Sequence, residues 1–387
     1  MSRPALELAD ILRAQGSRFL ERYQSSISYQ QLKAYRAVLA CRTASLGGHL
    51  DVCSACGFEN GISFNSCRNR HCPKCQARAR ERWIENRQQE LLPTGYFHAV
   101  FTVPHQLNVF ALTSPRVFYD LLFASASETL IEVARNPKRL GADIGVLAIL
   151  HTWGQNLMLH PHVHCVIPAG GLSSDRTRWI PTRQQFLLHT RVLREVFRGK
   201  FLAGLRQLYR KGQLRCQGQA AEFSDIRKFA RLLGPLYQED WVVYTKKAMG
   251  GPEQVLRYLG RYTHRIAISN HRLVAFDGVD VTFRWKDYAH GGKQRIMPLE
   301  APEFLRRFFL HVLPKGFVRI RHFGLLANRF RNRNLTLARQ LLANSEPQKI
   351  DTPPKDSQLK SPLWHCPRCG GTMCIARRYT AMEINSS

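Results

Sequence analysis

The spacing of apolar positions changes along the chain and predicts alternating helices and strands. Residues 5–24 carry apolar side chains at helical spacing, interrupted by Gly16. Three later segments have the pattern of strands: residues 96–104, 144–153 and 162–170. Helical spacing returns in two further segments, residues 192–210 and 253–265. This mixture of elements predicts an α+β fold.

The same pattern divides the chain into four parts. We expect a helical and cysteine-rich domain over residues 1–92 and the main globular domain over residues 93–343. Residues 344–363 are rich in Pro, Ser and Lys, which predicts a linker. Residues 364–387 then form a short knob with one CxxC motif and a tail.

The net charge of the chain indicates which class of molecule it binds. The 387 residues include 57 Lys and Arg against 28 Asp and Glu, a formal net charge of +29. Because 44% of the residues are hydrophobic, the chain can also bury a core and is not a disordered basic tail. Such a charge favours a polyanion as partner. We expect nucleic acid rather than an anionic membrane surface.

The start of the chain and its cysteines predict the compartment. Glu7 and Asp10, without a long apolar stretch, argue against a signal peptide. No run reaches the roughly 18 apolar residues of a spanning helix, so we expect no membrane partner. The 11 cysteines are an odd number, and most stand in CxxC pairs, as metal ligands do in a reducing compartment. We therefore expect a cytoplasmic protein.

Two CxxC pairs predict a zinc site in the N-terminal part. Cys53 and Cys56 are separated from Cys72 and Cys75 by 15 residues, a spacing typical of four-thiolate zinc sites. The alternative is buried free thiols, since cysteine also packs as a small hydrophobe. Two correctly spaced pairs favour zinc over that alternative.

Other possible ligands and basic residues lie close to these pairs. The remaining cysteines and histidines are Cys41, His49, Cys67 and His71, enough for a second ion, with Cys67 and His71 as the first candidates. Arg68 and Arg70 lie inside the same segment. If zinc fixes the local backbone, these arginines are placed to hold phosphates, and ordinary surface arginines are the alternative.

A third CxxC pair, Cys366 and Cys369, lies in the C-terminal knob and provides half of a zinc site. Cys374 and His365 are the nearest residues that could complete it. A pair from the N-terminal cysteine cluster is the other possibility, and the sequence leaves this choice open.

Three histidines alternate along one predicted strand: His160, His162 and His164. On an extended strand they share one face. Solvated or hydrogen-bonded histidines are the alternative. Several imidazoles within apolar strand sequence are costly to bury without partners, so the alternation favours a metal site.

A hairpin would bring another histidine to this face. A turn around Asn156 and Leu157 places His151 directly opposite His162. His151, His162 and His164 would then converge on one side of a sheet. Three ligands leave open coordination positions, which suits catalysis better than a structural role. Imidazole suits Zn, Mn, Fe or Ni, so the ligand type leaves the ion open.

Two tyrosines on a predicted helix could supply a nucleophile. Tyr258 and Tyr262 are four residues apart and share one helix face, with Arg257 and Arg261 on a neighbouring stripe. A core aromatic pair is the alternative. A phenolic oxygen can attack a phosphodiester polarised by a metal, and the arginines could hold flanking phosphates. Together with the histidines, the pair predicts DNA cleavage.

A basic and aromatic run over residues 317–340 predicts a second contact with DNA. Arg319 and Arg321 begin this run, with Phe side chains between the basic positions. Basic residues can follow a strand backbone while aromatic rings stack on unpaired bases. A solvated basic helix end is the alternative.

These motifs, taken in order, resemble a known family. Residues 100–104, the pair His162 and His164, and residues 258–262 resemble the three motifs of rolling-circle HUH endonucleases. The segments SCRNRHCPKCQ and RRFFLHVLPKGFVRIRHFGLL are more specific. With them, the chain resembles the two-tyrosine transposases of bacterial insertion sequences, of the insertion-sequence-ninety-one type.

The resemblance implies a fold, cofactors and partners. It implies a central antiparallel sheet flanked by helices, preceded by a zinc-binding domain. Structural zinc and a catalytic Mg(II) or Mn(II) ion would be the cofactors, without ATP, for which no phosphate-binding loop is present. The partners would be single-stranded DNA at the element ends and target, on the bacterial nucleoid, together with host replication machinery.

The resemblance also assigns roles to residues. His162 and His164 become metal ligands, and Tyr258 and Tyr262 become nucleophiles that form a 5′-phosphotyrosine and free a 3′-hydroxyl. The third ligand would be His151 by the hairpin argument, with Gln155, His160 and Gln254 as alternatives. A plasmid replication initiator or relaxase of the HUH type is a competing function. A non-catalytic zinc DNA-binding regulator is another.

Overall fold

The structure is a computed structural model that describes residues 4–75, 81, 83, 84, 87, 90–182, 188–247, 255, 260, 266–287, 290–344 and 365–385. The α-helices in this part of the chain are α1 (Leu8–Tyr23), α2 (Tyr29–Ala40), α3 (Asn108–Thr113), α4 (Pro115–Arg135), α5 (Thr190–Arg210), α6 (Ile226–Leu236), α7 (Ala301–Phe309), α8 (Arg331–Ala343) and α9 (Ala381–Asn385). None of them is long and apolar enough to cross a membrane.

The strands in the same ranges are β1 (Gly48–Cys53), β2 (Glu59–Phe64), β3 (Tyr96–Thr102), β4 (Gly145–Trp153), β5 (Leu159–Pro168), β6 (Gly170–Leu172), β7 (Trp179–Pro181), β8 (Val243–Lys247), β9 (Leu273–Phe276), β10 (Asp280–Asp287), β11 (Lys293–Glu300), β12 (Ile320–Gly324) and β13 (Met373–Tyr379). The chain thus combines helices and sheets, which confirms the predicted α+β class.

The chain folds into two compact units. Unit 1 consists of residues 1–79, 264–312 and 353–387, and unit 2 of residues 80–263 and 313–352. This division differs from the expected contiguous domain over residues 93–343. The reason is that α7 buries its aromatic side chains within unit 1, where Phe309 stacks on Phe19 of α1 with ring centroids 5.4 Å apart.

Unit 2 is built on a five-stranded sheet with the order β12-β4-β5-β3-β8, and every neighbouring pair is antiparallel. This is the central antiparallel sheet that the family resemblance implies. Helices α4 and α5 contribute Phe118 and Phe201, in edge contact at 5.4 Å, to the core on one face of the sheet. Phe101 and Val163 point into the same core.

The other face of this sheet carries different side chains. Because successive strand residues alternate between faces, Leu147, Ile149 and Val166 lie opposite the helix-covered core and form a separate apolar cluster. Val255, one of the two helical residues described between 248 and 265, is buried in this cluster. The predicted histidines share this second face.

Unit 1 contains two three-stranded sheets, with the orders β13-β1-β2 and β11-β10-β9. Helix α2 begins at a capping box in which Ser28 Oγ accepts a hydrogen bond from the amide of Gln31. Near the N-terminus of α1, Glu7 forms an ion pair with Lys74, and both side chains are largely buried. This pair ties the cysteine-rich segment to the helical part of the unit.

Candidate metal centres

The register of one hairpin brings the predicted histidines together. Strands β4 and β5 pair so that His151 lies directly opposite His162, and the chain turns through Gln155 and Asn156. This confirms the hairpin predicted from the alternation of side chains. Leu157 follows in the turn with a φ of +64° and a fully buried side chain.

Three imidazoles converge on this face of the sheet. One ring nitrogen each from His151, His162 and His164 lies within 4.8 Å of the others. His151 and His164 are buried, and His162 is partly exposed. Three imidazoles that leave coordination positions open fit a metal ion that can take up a further ligand. His160, an alternative ligand, is outside this cluster, and Gln254 lies outside the described residues.

Hydrogen bonds determine which nitrogen each ring can offer to a metal. Nδ1 of His162 donates to the carbonyl oxygen of His160 at 2.6 Å, which leaves Nε2 as the lone-pair nitrogen. Nδ1 of His164 lies 2.9 Å from Nε2 of His98 on β3. A histidine ligand whose other nitrogen is hydrogen-bonded in this way is held in one orientation.

His98 is a residue that sequence reasoning missed. Its ring stacks on that of His164 with centroids 5.1 Å apart. Burial, together with the charge of Lys246, lowers the pKa of His98 to about 4, so that its ring is neutral near pH 7. Its neutral ring can accept a hydrogen bond from the Nδ1–H group of His164. The sequence signal that could have found it is strand alternation. His98 is two residues before Val100, which pairs with His164, so both side chains lie on the histidine-bearing face.

A first cysteine centre lies in unit 1. The sulfurs of Cys41, Cys67, Cys72 and Cys75 lie within 4.8 Å of one another. Cys41 and Cys67 each approach Cys75 to 3.6 Å. With Zn–S bonds of about 2.3 Å, a tetrahedral ion separates its sulfurs by about 3.8 Å, so these residues fit a zinc ion.

A second cysteine centre lies in the same unit. It consists of Cys53, Cys56, Cys366 and Cys369, whose sulfurs also lie within 4.8 Å of one another. Cys53 is 3.5 Å from Cys369, and Cys56 is 3.7 Å from Cys366. Half of this centre therefore comes from the C-terminal end of the described chain.

The cysteine pairs therefore combine differently from the first expectation. The 15-residue spacing predicted one site from Cys53, Cys56, Cys72 and Cys75, but each pair belongs to a different centre. Cys41 and Cys67, which were expected among the ligands of a second ion, instead join Cys72 and Cys75 in the first centre, and His71 does not. Neither Cys374 nor His365 belongs to the second centre. The physical reason is that β13 pairs with β1 and brings the C-terminal thiols to Cys53 and Cys56.

Within each centre the pKa values of the thiols shift in opposite directions. Hydrogen bonds from the thiols of Cys67 and Cys72 lower the pKa of Cys41 to about 7. The thiols of Cys41, Cys67 and Cys75 instead raise the pKa of Cys72. In the second centre, the backbone amide of Cys56 lowers the pKa of Cys53 to about 6. Since adjacent thiolates repel each other, four can coexist only around a cation.

Two of the predicted DNA-binding arginines lie in unit 1. Arg68 is exposed and has a φ of +52°, between Cys67 and the CxxC turn. Arg70 is partly buried, and burial lowers the pKa of its guanidinium group. Arg68 is therefore accessible to a phosphate, whereas Arg70 is only partly so.

The remaining residues predicted to bind or cleave DNA are either packed inside unit 2 or lie outside the described residues. Arg319 is buried, with 9% of its surface exposed. Arg321 pairs with Asp120 and lies over the rings of Phe123 and Phe317, at 4.4 and 4.9 Å from their centroids. These arginines are part of the packing of unit 2 rather than a free basic surface. The predicted residues outside the described part are Arg257, Tyr258, Arg261 and Tyr262.

Comparison with known proteins adds a family to this geometry. Residues 145–334 match the family described as "Putative transposase", and residues 11–103 match the "Transposase zinc-binding domain". The first match contains the three converging histidines. The second contains all four residues of the first cysteine centre.

Two curated relatives match nearly the whole chain. A protein of Sinorhizobium fredii, described as "Putative transposase y4qJ", is 46% identical over 376 residues, which cover 95% of this chain and 94% of the relative. The "Transposase for insertion sequence element IS801" of Pseudomonas savastanoi pv. phaseolicola is 28% identical over 379 residues, 92% of this chain and 85% of the relative. No solved structure matches this chain.

Proposed function

Because this chain belongs to the insertion-sequence transposases of the type that includes the IS801 enzyme, we propose that it cuts and rejoins single-stranded DNA at element ends. The chemistry would pass through a covalent bond between a tyrosine and the DNA. The observation that carries this proposal is the convergence of His151, His162 and His164 on one face of the antiparallel sheet.

In this proposal the three histidines hold one divalent ion beside the scissile phosphate. Bound there, Mg(II) or Mn(II) would polarise the phosphodiester and stabilise its developing negative charge. Of the two, imidazole ligands favour Mn(II), because Mg(II) prefers oxygen ligands. His98 orients His164, and the carbonyl of His160 orients His162.

Tyr258 and Tyr262 are the proposed nucleophiles. The phenolic oxygen of one attacks the phosphorus, an O–P bond forms, and the bond to the 3′-oxygen breaks. The phenol loses its proton, and the departing 3′-oxygen leaves as a hydroxyl group. Because the phosphotyrosine bond conserves the phosphodiester energy, rejoining needs no ATP. The second tyrosine permits a further transfer before the first end is released.

The position of Val255 supports the pairing of these tyrosines with the histidine face. Val255 is buried against Leu147, Ile149 and Val166 on that face, and Tyr258 follows it by three residues. Because three residues span at most about 11 Å of chain, we propose that the first tyrosine acts at this face. Arg257 and Arg261, beside the tyrosines, are the proposed phosphate contacts there, and Arg68 and Arg70 are the proposed contacts in unit 1.

A covalent adduct tests the proposal. Single-stranded DNA with candidate element ends is incubated with the protein and Mn(II) or Mg(II), denatured and separated on a gel. We expect an adduct that persists in at least one of Tyr258→Phe and Tyr262→Phe and disappears in the double variant. Tyr244→Phe, at an exposed tyrosine of β8, is the matched control and should keep the adduct.

Other outcomes separate the competing functions. An adduct with a plasmid origin but not with element ends would indicate a replication initiator or relaxase. Absence of any adduct, with tight and salt-dependent DNA binding retained, would indicate a non-catalytic zinc regulator. An adduct unchanged in the double tyrosine variant would contradict the assignment of the nucleophiles.

A further inference from the structure

The second cysteine centre joins the two ends of the described chain. Cys53 and Cys56 lie at the turn between β1 and β2, whereas Cys366 and Cys369 precede β13. The sulfur–sulfur contacts between the two turns join Cys53 to Cys369 and Cys56 to Cys366. The members of these pairs are 316 and 310 positions apart in sequence. The matched zinc-binding domain ends at residue 103, so that match accounts for only the first pair.

The two CxxC turns have the same local structure. A glycine with positive φ follows each second cysteine, Gly57 at +68° and Gly370 at +74°. The amide of that glycine donates to the carbonyl oxygen of the first cysteine, at 3.0 and 2.9 Å. The amide two residues after the first cysteine approaches its sulfur at 3.4 Å in both turns. Amide donors of this kind stabilise and orient a thiolate.

The backbone between the two turns holds them at bonding distance. Strand β13 runs antiparallel to β1, and Cys53 pairs with Met373. The carbonyl oxygen of Thr372 accepts from both the amide and the hydroxyl of Ser54, at 3.0 and 3.1 Å. A Cβ atom on Gly371 would lie 2.9 Å from the Cβ atom of Ala55 and 3.1 Å from the sulfur of Cys53. The close approach of the two halves therefore requires glycine at this position.

We propose that these four cysteines bind a zinc ion of their own, which anchors residues 365–385 to the N-terminal sheet of unit 1. The cross-turn sulfur distances of 3.5 and 3.7 Å match the separation of about 3.8 Å around tetrahedral zinc. Four thiolates close the coordination sphere, so the role is structural. On binding, the thiols release their protons. This proposal is independent of the proposed strand cleavage.

Counting zinc in the purified full chain is the first test. Reduced wild-type protein should contain about two zinc ions per chain, one for each cysteine centre. The double variant Cys366→Ser with Cys369→Ser should contain about one. Cys374→Ser, an exposed cysteine of β13 outside both centres, is the matched control and should keep both ions. One zinc in the wild type, iron in place of the second zinc, or two zinc ions in the double variant would each overturn the proposal.

Release of the C-terminal segment is the second test, and it leaves every cysteine in place. A protease site is inserted between residues 350 and 360, and the chain is cut after purification under reducing conditions. The fragment that contains β13 should co-elute with the rest of the chain and separate after zinc chelation. If the fragment stays bound after complete removal of zinc, the anchoring role is contradicted. It is also contradicted if the fragment leaves the zinc-loaded protein spontaneously.

Discussion

Nε2 of His98 lies 2.9 Å from Nδ1 of His164, so a residue outside the predicted ligand set holds one of its members in place. The two rings stack across neighbouring strands, β3 and β5, on the face where the imidazoles converge. The low pKa of His98 keeps its Nε2 available as an acceptor. His164 is then left with Nε2 as its metal-binding nitrogen.

We therefore expect His98→Ala to weaken Mn(II) binding by about 10- to 100-fold, because loss of an orienting partner loosens the ligand. His98→Gln should recover part of the affinity, since its amide oxygen can accept the same hydrogen bond. Titration of the full chain with Mn(II) by calorimetry measures both. His105→Ala, at an exposed histidine, is the control. Equal Mn(II) affinity in all four proteins would exclude the positioning role.

His162→Ala should abolish strand cleavage and leave DNA binding nearly unchanged. The proposed ion acts on the scissile phosphate, whereas binding depends mainly on the basic residues of a protein with a net charge of +29. Gel assays of cleavage and of binding on the same oligonucleotide measure the two effects. His160→Ala, on the same strand but outside the cluster, should keep both activities. A parallel loss of binding in His162→Ala would argue against a purely catalytic ligand.

Cys72→Ser should destabilise unit 1, because a structural zinc ion contributes directly to folding free energy. If removal of the site costs about 4 kcal/mol, the melting temperature should fall by about 10 °C. Thermal melting followed by circular dichroism, together with zinc analysis, measures the change. Cys374→Ser should melt like the wild type. An unchanged melting temperature and zinc content in Cys72→Ser would remove Cys72 from the metal site.

Arg321→Ala should change stability and not DNA affinity. Arg321 pairs with Asp120 and covers two phenylalanine rings, contacts that together contribute about 1–2 kcal/mol to the free energy of unfolding. Urea denaturation measures this loss, and Arg329→Ala offers a comparison on the neighbouring, more exposed part of the basic run. If Arg321 instead binds a phosphate, Arg321→Ala should lose about one phosphate contact. The slope of the logarithm of DNA affinity against the logarithm of salt concentration should then decrease by about one.

His322 should make stability depend on pH on the acidic side of neutrality. Burial and the charges of Arg331 and Arg87 lower its pKa from 6.5 to about 4, while Glu90 lines the same small cavity. Between pH 6.5 and 4 the unfolded chain binds a proton that the folded chain does not. The free energy of unfolding therefore falls as pH decreases through this window, by up to about 1.4 kcal/mol per pH unit for one proton.

His322→Leu removes this contribution and provides the measurement. Urea denaturation of wild type and variant at several values between pH 6.5 and 5 should show a smaller loss of stability in the variant. The pKa of His98 is also lowered, but His98 is present in both proteins. Its contribution to the pH dependence of stability therefore cancels in the comparison. Identical pH slopes for the two proteins would show that the folded state binds this proton as readily as the unfolded chain does.

Much of the histidine-bearing face could be predicted from local pattern. Side chains on a strand alternate between faces, so the hairpin turn alone sets His151 opposite His162, and the structure has that register. The spacing of each CxxC pair likewise identifies two sulfurs that can meet at one ion. These features depend on residues close together in sequence, where backbone geometry leaves few alternatives.

The tertiary structure decided which distant groups meet. A thiol is an equally good ligand for any zinc ion within reach, so spacing could not show that Cys53 and Cys56 join Cys366 and Cys369 instead of Cys72 and Cys75. The pairing of β13 with β1 made that choice. In the same way, strand order brought His98 to His164, and core packing turned Arg321 toward Phe123 and Phe317. Such contacts depend on the balance of burial over the whole chain, which no local pattern records.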